Sequence, residues 1–88
     1  MLQIFKEIKK PTDSLLKHYR DQFIRNQNKW IRRSKITVEQ LDAEFKMEGK
    51  EFFLRGSFSA TEFLLEEVGT ERFFRSDVDR VSSSILTE

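Results

Sequence analysis

The chain contains no cysteine, one proline, three glycines and one histidine in 88 residues. Lacking cysteine, it has neither a disulfide framework nor a cysteine-based zinc site, the two usual staples of small domains. A single domain spanning 1–88 is expected. At this length it buries only a little over roughly 60% of its unfolded surface, so the core is thin. A large active-site cleft is not expected. No apolar stretch approaches a membrane span, and "MLQIFKEIKKP" meets charge too early for a signal peptide, so a cytoplasmic location is the expectation.

Glycine is too sparse for a phosphate-cradling loop: Gly49, Gly56 and Gly69 stand alone, each with a turn, strand or cap reading. His18 has no second soft ligand or nucleophile beside it. In the acidic cluster Glu62, Glu66 and Glu67, a helix would put Glu62 and Glu66 one turn apart, where they could hold a hard cation, but a solvated face is the favoured reading. No cofactor, metal or small-molecule ligand is expected.

Charge is abundant and uneven. Residues 1–35 carry ten Lys/Arg against Glu7, Asp13 and Asp21, a net of +7, and residues 36–88 carry six against twelve acids, a net of −6.

Residues 1–9 support either a strand, with Leu2, Ile4 and Ile8 on one face, or a helical turn, and the helical reading is preferred. After the break at Lys10–Pro11, Thr12–Asp13 offers an N-cap. "SLLKHYRDQFIRNQNKWIRRSK" then has no Gly or Pro and predicts one long helix from about Asp13 to Ser34. Projected at about 100° per residue, Leu16, Tyr19, Phe23, Trp30 and Ile31 form the buried stripe, with Ile24 at its margin. His18, Arg25 and Arg32 repeat every seven residues on the opposite side, beside Lys29. Trp30 is therefore expected to pack in the core while the cations face outward.

Two readings compete for 36–48. As a helix, Thr37 caps with Gln40 at N3, and Val38, Leu41 and Phe45 share a face. As a strand, a two-residue II′ turn at Gly49–Lys50 pairs Met47 with Phe52, Phe45 with Leu54, Ala43 with Gly56 and Leu41 with Phe58, leaving Glu44 opposite Arg55. The agreement of apolar partners favours the hairpin, and a short helical turn before the strand reconciles the two. Ser59–Glu62 matches a capping box opening a short helix "TEFLLEEV" that stops at Gly69. "TERFFRS" is undecided. Ser76–Asp79 starts a last helix, with Val78, Val81, Ile85 and Leu86 at helical spacing. A helix-turn-helix around Gly69–Thr70 is disfavoured by the acidity of 60–80.

The expected fold is α+β: a long N-terminal amphipathic helix packed on a central β-hairpin, with one or two short C-terminal helices. The expected function is a non-enzymatic binding or regulatory module using a basic helix face, with nucleic acid the leading ligand. Lys17, Arg25, Lys29, Arg32, Arg33 and Lys35 are the residues placed to follow a phosphate backbone. A protein-interaction module or homodimer, with charge-complementary halves and Phe53 at a partner surface, is the alternative. A small metal-independent nuclease around His18 is the third reading.

Overall fold

The structure, a computed structural model, describes residues 5–86. An N-terminal helix packs on a five-stranded antiparallel sheet that is followed by a short C-terminal helix. In chain order the elements are β1 (Phe5–Ile8), α1 (Asp13–Arg25), α2 (Gln27–Ser34), β2 (Glu44–Met47), β3 (Lys50–Ser57), β4 (Glu62–Glu67), β5 (Phe73–Asp77) and α3 (Val78–Leu86). The sheet order is β1-β5-β4-β3-β2.

Three segments differ from expectation. Residues 5–8 form an edge strand rather than a helical turn, because β5 offers them a partner; Leu2 and Ile4 lie outside the described residues. The segment expected to be a helix at 61–68 is β4, the centre of the sheet. Its consecutive Phe63, Leu64 and Leu65 are all fully buried, which a strand covered on both faces requires and a surface helix does not. The hydroxyls of its apparent capping box serve a turn instead, Ser59 Oγ accepting from the Thr61 amide at 3.2 Å. With β4 and β5 both strands, no helix-turn-helix exists there.

The long helix is broken at Asn26. An unbroken helix of 22 residues would run about 33 Å, longer than the 31 Å greatest extent of the domain. Asn26 folds back, its amide group donating to the Gln22 carbonyl at 2.8 Å, and α2 starts on its own carbonyl, which accepts from Lys29 at 2.9 Å. The change of direction lets Trp30 reach the core and donate its indole N–H to the Phe23 carbonyl at 3.0 Å. Trp30 is fully buried against Phe63, ring centroids 4.9 Å apart, as its place in the apolar stripe predicts. At the other end, Lys35 turns left-handed (φ 60°) and the Ile36 amide closes onto the Trp30 carbonyl. Ile31 and Leu86 have side chains outside the described ones.

The hairpin forms, with its turn one residue earlier than expected. Glu48 and Gly49 occupy the turn at φ 54° and 77°, the two positive values that mark type I′. The pairs are Met47 with Lys50, Phe45 with Phe52 and Glu44 with Phe53. Moving the turn by one residue moves the pairing by two, so Phe45, Met47, Phe52 and Leu54 stay inward while each named partner changes, and Gly56, beyond a bulge, leaves the expected face. Glu44 consequently does not face Arg55. Ahead of β2, Thr37 and Gln40 make the expected capping box around a single 3₁₀ turn, Val38–Gln40.

One sheet face carries the main core, in which Phe45, Phe52, Leu54, Phe63, Leu65 and Phe74 meet Phe23, Trp30, Val78 and Val81. Leu64 and Phe73, also buried, alternate with these and face the other side. There α1 lies on β3. A bulge between Leu54 and Gly56 sets Gly56 opposite Leu64, and a Cβ on Gly56 would stand 2.6 Å from the Tyr19 carbonyl and 2.9 Å from the Arg20 nitrogen. Only glycine permits this approach. Gly56→Ala is expected to cost about 1–3 kcal/mol as overpacking against backbone. For a domain of this size that is a Tm drop of roughly 5–20 °C by circular dichroism; an unchanged Tm would mean that α1 does not rest on Gly56.

Candidate functional site

The arginines on and beside the sheet are matched by carboxylates. Arg55 donates from Nε to Glu66 at 2.8 Å and from a terminal nitrogen to Asp42 at 2.8 Å. Arg72 engages Glu7 through two hydrogen bonds, Lys10 meets Glu71 at 2.9 Å, and Arg75 and Arg80 pair with Glu62 and Glu48. Glu62 and Glu66, read in the sequence as one turn of a helix, are strand neighbours each neutralised by an arginine. Among the described residues no group of three His, Cys, Asp or Glu could hold a metal ion.

The pairing that matters most to α1 is a clamp. Asp42, in a left-handed turn (φ 66°), accepts from Arg20 on the helix and from Arg55 on the sheet. Partial burial opposes its charge, but the hydrogen bonds from Arg20 and Arg55 outweigh it and hold its carboxyl below the usual aspartate value. Burial likewise opposes charge on Arg55, and its bonds to Asp42 and Glu66 override it and raise its pKa. Leu16, Lys17, Arg20, Asp42, Arg55 and Glu66 line a cleft of about 280 Å³ here. With Arg20, Asp42, Arg55 and Glu66 bonded through one another, the cleft fastens helix to sheet, and Lys17 is the one charged group of its lining outside that network.

The two helices are different. Lys17, Arg25, Lys29, Arg32 and Lys35 are all exposed, and among the described residues none of them forms an ion pair. The side chain of Arg33 lies outside the described ones. Lys17 sits at the rim of the cleft and Arg25 in the last turn of α1; Lys29 and Arg32 are on α2, and Lys35 just beyond it. The structure thus gives outward cations on two helices in place of one straight stripe, since Asn26 interrupts the seven-residue repeat.

His18 is exposed on α1, edge-on to the Tyr19 ring at 5.6 Å, and has no hydrogen-bond partner among the described residues. Phe53 is half-buried, with the Arg55 guanidinium 4.9 Å from its ring centre. Sequence reasoning missed two features: the Arg20–Asp42–Arg55 clamp, whose members are up to 35 positions apart, and a second cavity beside Leu15, an apolar residue that is 43% exposed. Leu15 could have been found as an apolar residue of α1 off the buried stripe, on the flank opposite Ile24.

No protein-family model matches the chain, and no curated protein or solved structure matches it either. No helix among the described residues is long and apolar enough to cross a membrane.

Asp42→Asn is expected to lower stability on the order of 1–2 kcal/mol, because one-third exposure of the pair keeps it well below a fully buried ion pair. The native carboxyl has a lower pKa than the unfolded one, so the contribution is complete above the unfolded value near roughly 4 and disappears as pH falls through the native one. Urea midpoints of the two proteins should differ by a constant amount above about pH 5 and converge in acid. A gap that persists at pH 2 would place the effect outside the carboxyl's charge.

Proposed function

We propose that this protein is a small non-enzymatic binding module that takes nucleic acid on the outward face of α1 and α2. The observation that supports this reading is the contrast in ion pairing. The arginines on and beside the sheet, Arg55, Arg72, Arg75 and Arg80, each have a carboxylate partner, whereas five cations gathered on and just after two successive helices, Lys17, Arg25, Lys29, Arg32 and Lys35, have none among the described residues; Lys6 and Lys50, also without an ion pair there, stand apart on separate strands. Arg20 belongs to the first group, because it is committed to Asp42.

Spaced, accessible cations are sufficient for phosphate-backbone affinity, which derives from counterion release and carries little sequence information. The helices supply that and no evident base-reading edge, so affinity is modest and preference weak. A nuclease reading would need a second group to act with His18, and its recorded neighbour is an aromatic edge.

Three or four phosphate contacts give a log-log salt slope near roughly −3 on duplex DNA. Reversing Arg25, Lys29 and Arg32 together to Glu should abolish binding to DNA and RNA, with circular dichroism and Tm close to wild type, since all three side chains are exposed. Wild-type protein that binds neither polymer at low salt would defeat this reading. Concentration-dependent mass in light scattering would then favour the homodimer, for which the outer edges of β1 and β2 are candidate surfaces.

A further inference from the structure

Where β1 runs into α1, a cavity of about 240 Å³ opens, its walls including Ile8, Lys9, Pro11, Leu15 and Tyr19. Its chemistry is two-sided. Leu15, at 43% exposure, and half-buried Ile8 and Tyr19 supply an apolar and aromatic lining. The Tyr19 ring is held in place by Phe58 at 4.6 Å. Lys9 stands at the rim, exposed and without an ion pair among the described residues.

The cavity is also continuous with the cationic helices. Leu15, His18, Gln22 and Arg25 are spaced i, i+3, i+7 and i+10, which places them along one flank of α1 for about 15 Å. From Arg25 the exposed cations continue onto α2 at Lys29. An apolar recess with a cationic rim, leading onto a track of unpaired cations, fits one kind of ligand: a planar base joined to a phosphodiester backbone. A duplex cannot supply it, because its bases are stacked and paired inside.

Resting on the reading above, we propose that the preferred ligand is single-stranded nucleic acid, with one base lodged in the β1–α1 cavity against Leu15 and Tyr19 and the backbone following His18 and Arg25 toward Lys29. The preference runs against electrostatics alone, since a duplex has the higher charge density and the steeper counterion release. Only the base contact can reverse it.

The test uses fluorescence anisotropy at low salt on the full chain, with labelled oligouridylate, oligodeoxyuridylate and a duplex DNA of equal length. Single strands are expected to bind at least about fivefold more tightly than the duplex. Whichever single strand is tighter identifies the source, a ribose-specific gain pointing to a 2′-hydroxyl contact. Leu15→Ala should weaken single-strand binding by about threefold to fivefold and Leu15→Trp should strengthen it, while neither alters duplex binding. The new tryptophan in L15W should also lose emission as the single strand is added. Duplex binding as tight as single-strand binding, or Leu15 variants that bind single strands like the wild type, overturns the proposal while leaving the basic-face reading intact. Absence of binding to all three probes removes both.

Discussion

The contact between the backbone of α1 and Gly56 governs the arrangement of this domain. A helix approaches a sheet this closely only where no side chain intervenes, and the bulge at Leu54–Gly56 presents such a place beside the central strand. Once Tyr19 and Arg20 rest there, the remaining contacts of α1 follow from helical spacing. Tyr19 meets Phe58, Arg20 reaches Asp42, and Phe23, one turn on, enters the aromatic cluster with Trp30 and Phe63. Leu64 is covered on the side away from the main core. One flank of α1 is therefore committed to the sheet, and its other flank must face solvent.

That division also sorts the charges. Residues that bridge elements are paired: Arg20 and Arg55 through Asp42, Arg72 with Glu7 across the β1–β5 edge, Arg80 with Glu48 between α3 and the hairpin turn. Each joins segments distant in sequence, so these pairs fix relative placement even where their net stabilisation is small. Asp42, Glu48, Glu62, Glu66, Glu67 and Glu71 of the acidic second half are engaged in such pairs. Asp42 reaches across to Arg20 on α1 and Glu71 to Lys10, whereas Lys17, Arg25, Lys29, Arg32 and Lys35 have no ion pair among the described residues, so the +7 and −6 halves cancel only in part.

How much of this was legible depends on the range of the interaction that decides it. Patterns that repeat locally could be read: the α1 stripe, the burial of Trp30, the start of α3 at Val78, the positive φ at Gly49 and the two faces of the β2–β3 hairpin. The hairpin's partners could not, because period-2 patterning distinguishes faces but tolerates a shift of two. β4 was read as a helix since Glu62–Glu67 has good helix formers and a plausible cap; its strand state comes from β3 and β5 on either side, which no local window contains. The break at Asn26 had a local sign, the Asn26–Asn28 run, but its necessity comes from the size of the domain. In the candidate site, exposure of Lys17, Arg25, Lys29, Arg32 and Lys35 was foreseeable from the helical projection, whereas their lack of ion pairs among the described residues depends on where Asp42, Glu62 and Glu66 end up.

The composition of α2 bears on why those cations are there. Gln27–Ser34 contains Lys29, Arg32 and Arg33 and no acidic residue. Lys29 with Arg32 and Lys29 with Arg33 stand at i, i+3 and i, i+4, where like charges destabilise a helix by a few tenths of a kcal/mol per pair. A helix required only to be soluble would be better served by interspersed signs, and glutamate in place of Lys29, in the first turn, would both relieve the repulsion and complement the helix N-terminus, whereas Arg32 and Arg33 stand in the last turn, where the dipole favours cations. Nor does α2 have helix length to spare, since eight residues depend on Trp30 packing against Phe23 and Phe63 for their place in the fold. What α2 keeps is thus a set of cations held in the fold by one buried tryptophan after the break at Asn26, and among them Lys29 alone works against the helix dipole, so the repulsion it adds is small beside the burial of Trp30.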